Sequence, residues 1–290
     1  VSFVNLNYMK DERQAGQINY NPLTDKGTTN AWGSEVNSER FTLSNKTGYV
    51  FPDTPYKSIG LQNSFQSHRQ DSYFGLNSYD IHQKSWYGNL IYNSIIGNTQ
   101  HKFATGLSGT YDDYNEQLTT SALAGDFSRI DRSVGAFFEY TYDNLSNFSF
   151  VAGVRADSHN NLGNFITPRL HLRYNPWKEA TFRLSAGRGK RAANVIAENQ
   201  QLLASSRQLH IIGGDGGKLY GLNPEIAWNY GASFLQTFKI WGKNAELSVD
   251  FYRTHFDNQV VVDLDHSPQQ ALFYNLDGKS FANSFQTEVS

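Results

Sequence analysis

The strongest constraint on this chain is the rhythm of its connections. Segments that alternate apolar and polar residues are joined by a tight turn, then a long polar stretch, then a tight turn again. Strands that cross an outer membrane as an antiparallel barrel meet short turns on one rim and longer loops on the other, which produces this rhythm. Tight connections fall at Phe51–Tyr56, Gly97–Gln100, Asp143–Asn147, Asn175–Glu179 and Gly242–Asn244. Long ones are expected at about 11–37, 67–80, 112–131, 157–164, 188–223 and 257–278, all rich in Asn, Asp, Gly, Ser and Gln, the residues of solvated turns. Twelve segments result, each with roughly ten alternating residues, the length a tilted strand needs to cross a bilayer.

Within the segments the period is two, so neighbouring side chains point to opposite faces of a sheet. Ala245, Leu247, Val249 and Phe251 oppose Glu246, Ser248, Asp250 and Tyr252. Phe148, Phe150, Ala152 and Val154 oppose Ser149, Gly153, Arg155 and Asp157, and Leu170 and Leu172 oppose Arg169, His171 and Arg173. The apolar set is expected to face lipid and the charged set a watery lumen. A soluble sandwich shows the same alternation. Loop length separates the two, because 290 residues spent on about twelve strands leave far more connection than a sandwich uses.

Composition narrows the class further. Aromatic residues make up 14% of the chain, and Tyr49, Trp86, Tyr92, Tyr140, Tyr142, Tyr174 and Trp228 sit near segment ends, where barrels carry their interfacial girdles. A formal charge of −2 and the lack of a basic groove argue against nucleic acid as a partner. Without cysteine there is neither a disulfide framework nor a thiolate metal site. No run of eighteen apolar residues offers a helical span.

More specific signals lie between residues 163 and 231. Phe165-Ile166-Thr167-Pro168-Arg169-Leu170 is followed by Leu184-Ser185-Ala186-Gly187-Arg188-Gly189-Lys190-Arg191-Ala192-Ala193-Asn194, then by Ala197-Glu198-Asn199 and Ser205-Ser206-Arg207. Leu222-Asn223-Pro224-Glu225 and Asn229-Tyr230-Gly231 come next. Together these resemble the mid-barrel and strand-opening motifs of TonB-dependent outer-membrane receptors, most clearly over about residues 160–260. The resemblance implies an all-β, antiparallel up-and-down transmembrane β-barrel segment, about 12 strands of a 22-stranded barrel, with residues 1–290 as a partial barrel domain. It implies a protein of the bacterial outer membrane that is not an enzyme, has no cofactor, and imports a scarce nutrient such as a ferric siderophore, another metal chelate, haem or cobalamin. Its partners would be outer-membrane lipid, the nutrient, and the inner-membrane TonB complex, reached through a plug. The plug, its partner-binding box and a closing aromatic strand are not found, so the chain reads as an internal segment. The alternatives are a passive porin-type channel, a TonB-dependent oligosaccharide importer and, last, a soluble β protein that binds by its loops.

Several local patterns admit a functional and a plain reading. Gly187, Gly189 and Ala192 formally match a dinucleotide fingerprint, but the strand before them alternates and no βαβ succession surrounds it. Asp112, Asp113, Asn115 and Glu116 offer calcium-type oxygens, against the plainer reading of a hydrated loop. The eight histidines show no zinc spacing, and no nucleophile elbow is present. The connection from Arg188 to Asn223 is the candidate ligand-binding loop. Its polar set is Asn194, Glu198, Asn199, Arg207, His210 and Asp215, with His210 also conceivable as an axial haem ligand and Gly213–Gly217 as a flexible tip. Asn194 to Leu203 reads as a short helix.

Overall fold

The computed structural model describes residues 1–213 and 218–290. The strands are β1 (Ser2–Gly16), β2 (Gly33–Val50), β3 (Ser58–Phe74), β4 (Asn77–Ile96), β5 (Asn98–Thr119), β6 (Ala124–Asp126), β7 (Arg129–Asp143) and β8 (Phe148–His159). They continue with β9 (Gly163–Tyr174), β10 (Ala180–Arg191), β11 (Gln208–Ile211), β12 (Glu225–Ile240), β13 (Lys243–Asn258), β14 (Val260–Asp263), β15 (Gln270–Asn275) and β16 (Ser280–Val289). Twelve of these form one antiparallel path in the order β1-β2-β3-β4-β5-β7-β8-β9-β10-β12-β13-β16, and β6 pairs beside it on β5. The twelve-strand meander expected from the alternation is therefore present. A separate three-stranded sheet joins β11, β15 and β14.

All five tight connections occur where the residues dictate them. Asn144 shows how: its Oδ1 accepts the amides of Ser146, Asn147 and Phe148 at 2.9 to 3.0 Å, closing the turn with a side chain. At the β12–β13 turn, Trp241 and Gly242 both hold positive φ, the twist that matches a two-residue hairpin.

Two of the six long loops are not loops. Pairing of β3 with β4 continues to Phe74 and Asn77, leaving only Gly75, at φ +63, and Leu76 to turn. Likewise β8 and β9 pair as far as His159 and Gly163. The cause is that Ser, Gln, Asn and Asp occupy both faces of these stretches, some of them buried, as Gln70, Ser72 and Asp157 are. Hydrophobic alternation vanishes there while the backbone ladder persists. The other connections shorten for the same reason, to 17–32, 192–224 and 259–279, with the fourth broken by β6.

Residues directly opposite in a ladder share a face, so the register carries each face across the sheet. One row reads Leu61, Leu90, Leu107, Ala136, Ala156, Ile166. The next row, on the other face, reads Gln62, Asn89, Ser108, Gly135, Asp157. Phe150, Leu172, Leu184, Ala232 and Phe251 continue the apolar face, and Arg173, Arg183, Ser233 and Asp250 the polar one. The apolar face stays open, with Leu107, Val134 and Ile166 more than half exposed, as befits a surface that lipid covers. No helix among the described residues is long and apolar enough to cross a membrane.

Candidate functional site

The sequestered core of this chain lies outside the strand-to-strand wall, in a cap on its polar face. Val195, Ile196, Leu202, Leu203 and Leu209 from the β10–β12 connection pack with Ala271 and Phe273 of β15 and with Tyr79 and Leu118 of β4 and β5. Tyr79 and Leu118 have the parity of the polar face, so the connection folds inward over the wall. Burying each large apolar side chain contributes roughly 1.5 to 3 kcal/mol, which makes the connection a folded body. The expected helical run appears as a 3-10 segment over Ala197–Ala204, and β11 pairs in parallel with β15, tying the two longest connections together.

A buried ionic cluster fastens this cap to the wall. Arg129 at the start of β7 donates to Asp131 at 3.0 Å and to Glu116 at 3.4 Å, stacks on the Tyr114 ring, and donates to Asn194 Oδ1. Glu116 also accepts the hydroxyls of Tyr79 at 2.8 Å and of Tyr220 at 2.6 Å. Tyr220 comes from the cap, where Leu219 and Tyr220 both hold positive φ near 59° (58° and 59°), a conformation that costs roughly 1 to 2 kcal/mol for each non-glycine residue. Burial, together with the Glu116 charge, pushes the Tyr220 hydroxyl pKa well above the ordinary tyrosine range, so it stays a donor.

The structure gives each sequence-derived loop residue a place. Asn194 is bonded to Arg129, as above. Glu198 accepts Arg191 Nη1 and Nη2 at 2.9 and 3.1 Å and the Asn194 amide at 3.1 Å, while Asn199 Nδ2 donates to the Val195 carbonyl. Arg207 Nη1 gathers the carbonyls of Leu264, Ser267 and Gln270 within 3.0 Å, bridging the two connections. His210 lies in β11 opposite Leu272, and its buried Nε2 has no partner among the described residues. Asp215 and most of the glycine tip lie outside the described residues. Asn194, Glu198, Asn199 and Arg207 are thus spread over one cap and bonded within it, while His210 keeps a free ring nitrogen among the described residues.

The calcium reading of Asp112, Asp113, Asn115 and Glu116 is corrected by parity. They lie on a strand, with Asp112 and Glu116 on the polar face and Asp113 and Asn115 on the other. Sequence reasoning missed Tyr79, Arg129, Asp131 and Tyr220, because 104 residues separate Glu116 from Tyr220 and no spacing rule reaches that far.

Two of the hollows on the polar face are lined by arginines. A hollow of ≈ 540 Å³ is lined by His171, Arg173, Arg183, Ser185, Asp250 and Tyr252, among others. Gly231 makes it possible: a Cβ there would meet Ser185 Oγ at 2.5 Å and the Tyr252 ring at 2.6 Å. A second, of ≈ 360 Å³, includes Asn89, Arg155 and Arg169 in its lining, with Arg169 paired to Glu139.

A wide antiparallel sheet, apolar and open on one face, polar and covered by its own connections on the other, is the wall of a large membrane β-barrel. The family described as TonB dependent receptor-like, beta-barrel, matches residues 2–284, and the chain belongs to it. Members of that family are outer-membrane β-barrels. Among solved structures, the chain is similar to the ferric enterobactin receptor PfeA of Pseudomonas aeruginosa (13% identity, TM-score 0.62, 98% of this chain on 46% of that one). It is similar also to the hemophore receptor HasR of Serratia marcescens, solved with its hemophore HasA and heme (12%, TM-score 0.66, 99% on 49%). A third is the alcaligin receptor FauA of Bordetella pertussis (12%, TM-score 0.60, 98% on 46%). At these identities the likeness is one of fold, and the chain spans about half the length of each. No curated protein matches by sequence.

Proposed function

We propose that this chain is part of the barrel of an outer-membrane receptor that imports a scarce nutrient as a metal chelate, such as a ferric siderophore, or as haem or cobalamin. The full protein on this reading has 22 strands, a plug, and the TonB complex as its energy-transducing partner. The observation that carries the reading is the cap. Two long connections are cross-paired and fastened to the polar face by a buried ionic cluster, which gives the lumen entrance a fixed recognition surface that a passive pore does not need. The neighbours in fold are receptors for cargoes of the proposed kinds.

The β10–β12 connection is the recognition element on this reading. Asn194, Glu198, Asn199 and Arg207 act by holding its shape, through the bonds described above. His210 and Asp215 are the side chains assigned to the cargo itself.

The test uses the full-length receptor in a host lacking its own receptors of this kind. Growth is scored on ferric siderophores, haem, cobalamin or oligosaccharides as the limiting source, with and without the TonB complex. Uptake of one metal chelate, haem or cobalamin only when the complex is present is the expected result. Uptake that is indifferent to the complex makes the protein a passive channel, and uptake of an oligosaccharide alone moves it to the sugar importers. His210→Ala and Asp215→Ala in an inserted receptor should weaken cargo binding; unchanged affinity in both removes the cargo role assigned to them.

A further inference from the structure

One ladder in the wall stops early. β9 and β10 pair only from Tyr174 with Phe182 up to Arg169 with Gly187, although both strands run on, β9 back to Gly163 and β10 forward to Arg191. The residue at the break is Pro168, which has no amide to give. Ile166, two residues away and of the same parity, turns its carbonyl toward β10, so the missing Pro168 donor falls on the β10 side as well. A proline inside a central strand is expected only where a ladder is lost, and here it opens a seam. The ≈ 360 Å³ hollow reaches this seam, since Pro168 and Arg188 are part of its lining.

Two cations close the gap. Arg188 Nη1 donates to the Ile166 carbonyl at 3.1 Å, and Lys190 Nζ donates to the Leu162 carbonyl at 2.6 Å. Arg188 and Lys190 have the parity of the apolar, outward face, opposite Trp228 and Ile226 on β12. Among the described residues no carboxylate lies within ion-pair distance of either, in contrast to Arg155 and Arg169, which each have one, and Arg191, which has two. Each also keeps donors beyond the one it spends on a carbonyl. Beside the seam, and sharing Ile166 with it, the outward face carries an apolar hollow of ≈ 690 Å³ lined by Leu107, Val134, Ala136 and Ala156. Two uncompensated cations at the loop-side end of an apolar face, next to an apolar hollow, have the charge and shape of a site for a molecule that is anionic at one end and hydrocarbon at the other.

We propose that the β9–β10 seam binds a phosphate-bearing lipid of net negative charge from the surrounding leaflet, its headgroup on Arg188 and Lys190 and an acyl chain along the Leu107–Ile166 hollow. The lipid supplies the counter-charge the wall lacks and seals the outer side of a stretch where strand pairing is absent. This inference rests on the apolar face meeting lipid, and not on which cargo the receptor carries.

The test uses full-length receptor whose insertion is first verified by heat-modifiable migration, so that a failure to insert is told apart from a failure to bind. Receptor in detergent is mixed with phosphatidylglycerol, with phosphatidylcholine or with inorganic phosphate, and retained lipid is counted by native mass spectrometry. Phosphatidylglycerol should be retained and phosphatidylcholine washed away. Arg188→Gln and Lys190→Gln keep a side-chain donor for the seam but lose the charge, and each should lower retention roughly fivefold, with about thirtyfold for the pair. The swap Arg188→Lys with Lys190→Arg keeps both charges and should retain lipid, as should Arg183→Gln on the inner face. If the double variant fails to insert, the two single variants decide by the same fivefold criterion. Equal retention by charge-removed and parent receptors overturns the proposal. Inorganic phosphate displacing the lipid at matched concentration assigns the seam to a free anion and overturns it as well.

Discussion

Removing one oxygen atom from the cap tests whether the ionic cluster holds it down. Tyr220→Phe keeps the ring against Phe127 and the rest of the apolar cluster, so almost no cavity is made. It deletes the 2.6 Å bond to Glu116 and the 3.4 Å bond accepted from Arg129 Nη1, and leaves that carboxylate, only 1% exposed, with Tyr79 at 2.8 Å and Arg129 at 3.4 Å. A hydrogen bond to a charged group contributes roughly 1.5 to 3 kcal/mol. The two left-handed residues at 219 and 220 oppose closure by a comparable amount, so little else on that side of the cap replaces the bond. Opening of the cap should therefore become roughly tenfold to a hundredfold more frequent, while the wall, held by its own ladders, is unchanged. Hydrogen exchange of residues 192–224 in the inserted full-length receptor reads the first quantity, and heat-modifiable migration reads the second. A double-mutant cycle with Glu116→Gln isolates the coupling between the two side chains. Unchanged exchange in the cap would refute the reasoning, because it would mean that apolar packing alone fixes it.

The other predictions are independent of the cap's role. Arg129→Met strands Glu116 and Asp131 together without their cation and should cost about 3 to 5 kcal/mol, seen as loss of cap protection greater than that of Tyr220→Phe. Val249→Arg puts a cation on the lipid face at a cost of roughly 2 to 4 kcal/mol and should abolish insertion, whereas Ser248→Arg, one residue away on the polar face, should insert; equal behaviour on a heat-modifiability gel contradicts the facing. Leu145 is exposed with φ +59 in the β7–β8 turn, so Leu145→Asn should raise the urea midpoint of refolded receptor by about 1 kcal/mol of stability, and a loss would show that the turn is not strained. Asp263 accepts the amides of Asp265 and His266, which hold its carboxyl below the usual carboxylate range. A depressed carboxylate stabilises the fold above its unfolded pKa and loses that contribution as pH falls through the folded one. The stability gap between the parent and Asp263→Asn should thus be present at pH 7, begin to shrink as pH approaches the unfolded carboxylate range of about 3.9, and close only as pH falls further, through the depressed folded value.

Much of this protein is legible in the chain because a β-wall obeys local rules. Period two fixed which residues share a face, and the tight turns at Asn144 and at Trp241–Gly242 are written in their own residues. Membership of a large outer-membrane barrel followed from that alternation and from the motifs around Pro168, Gly187 and Pro224. Where polar residues occupy both faces the signal fails, which is why 67–80 and 157–164 read as loops although their backbones stay paired. The tertiary structure alone decided the rest. Glu116, Arg129, Tyr79 and Tyr220 meet only because the β10–β12 connection folds back over strands laid down far earlier in the chain. Pro168 opens a seam only because β10 is the strand that comes to lie beside it. A local pattern specifies the face a side chain occupies, whereas its partners across the barrel depend on which strands and connections are brought together, and no spacing along the chain encodes that.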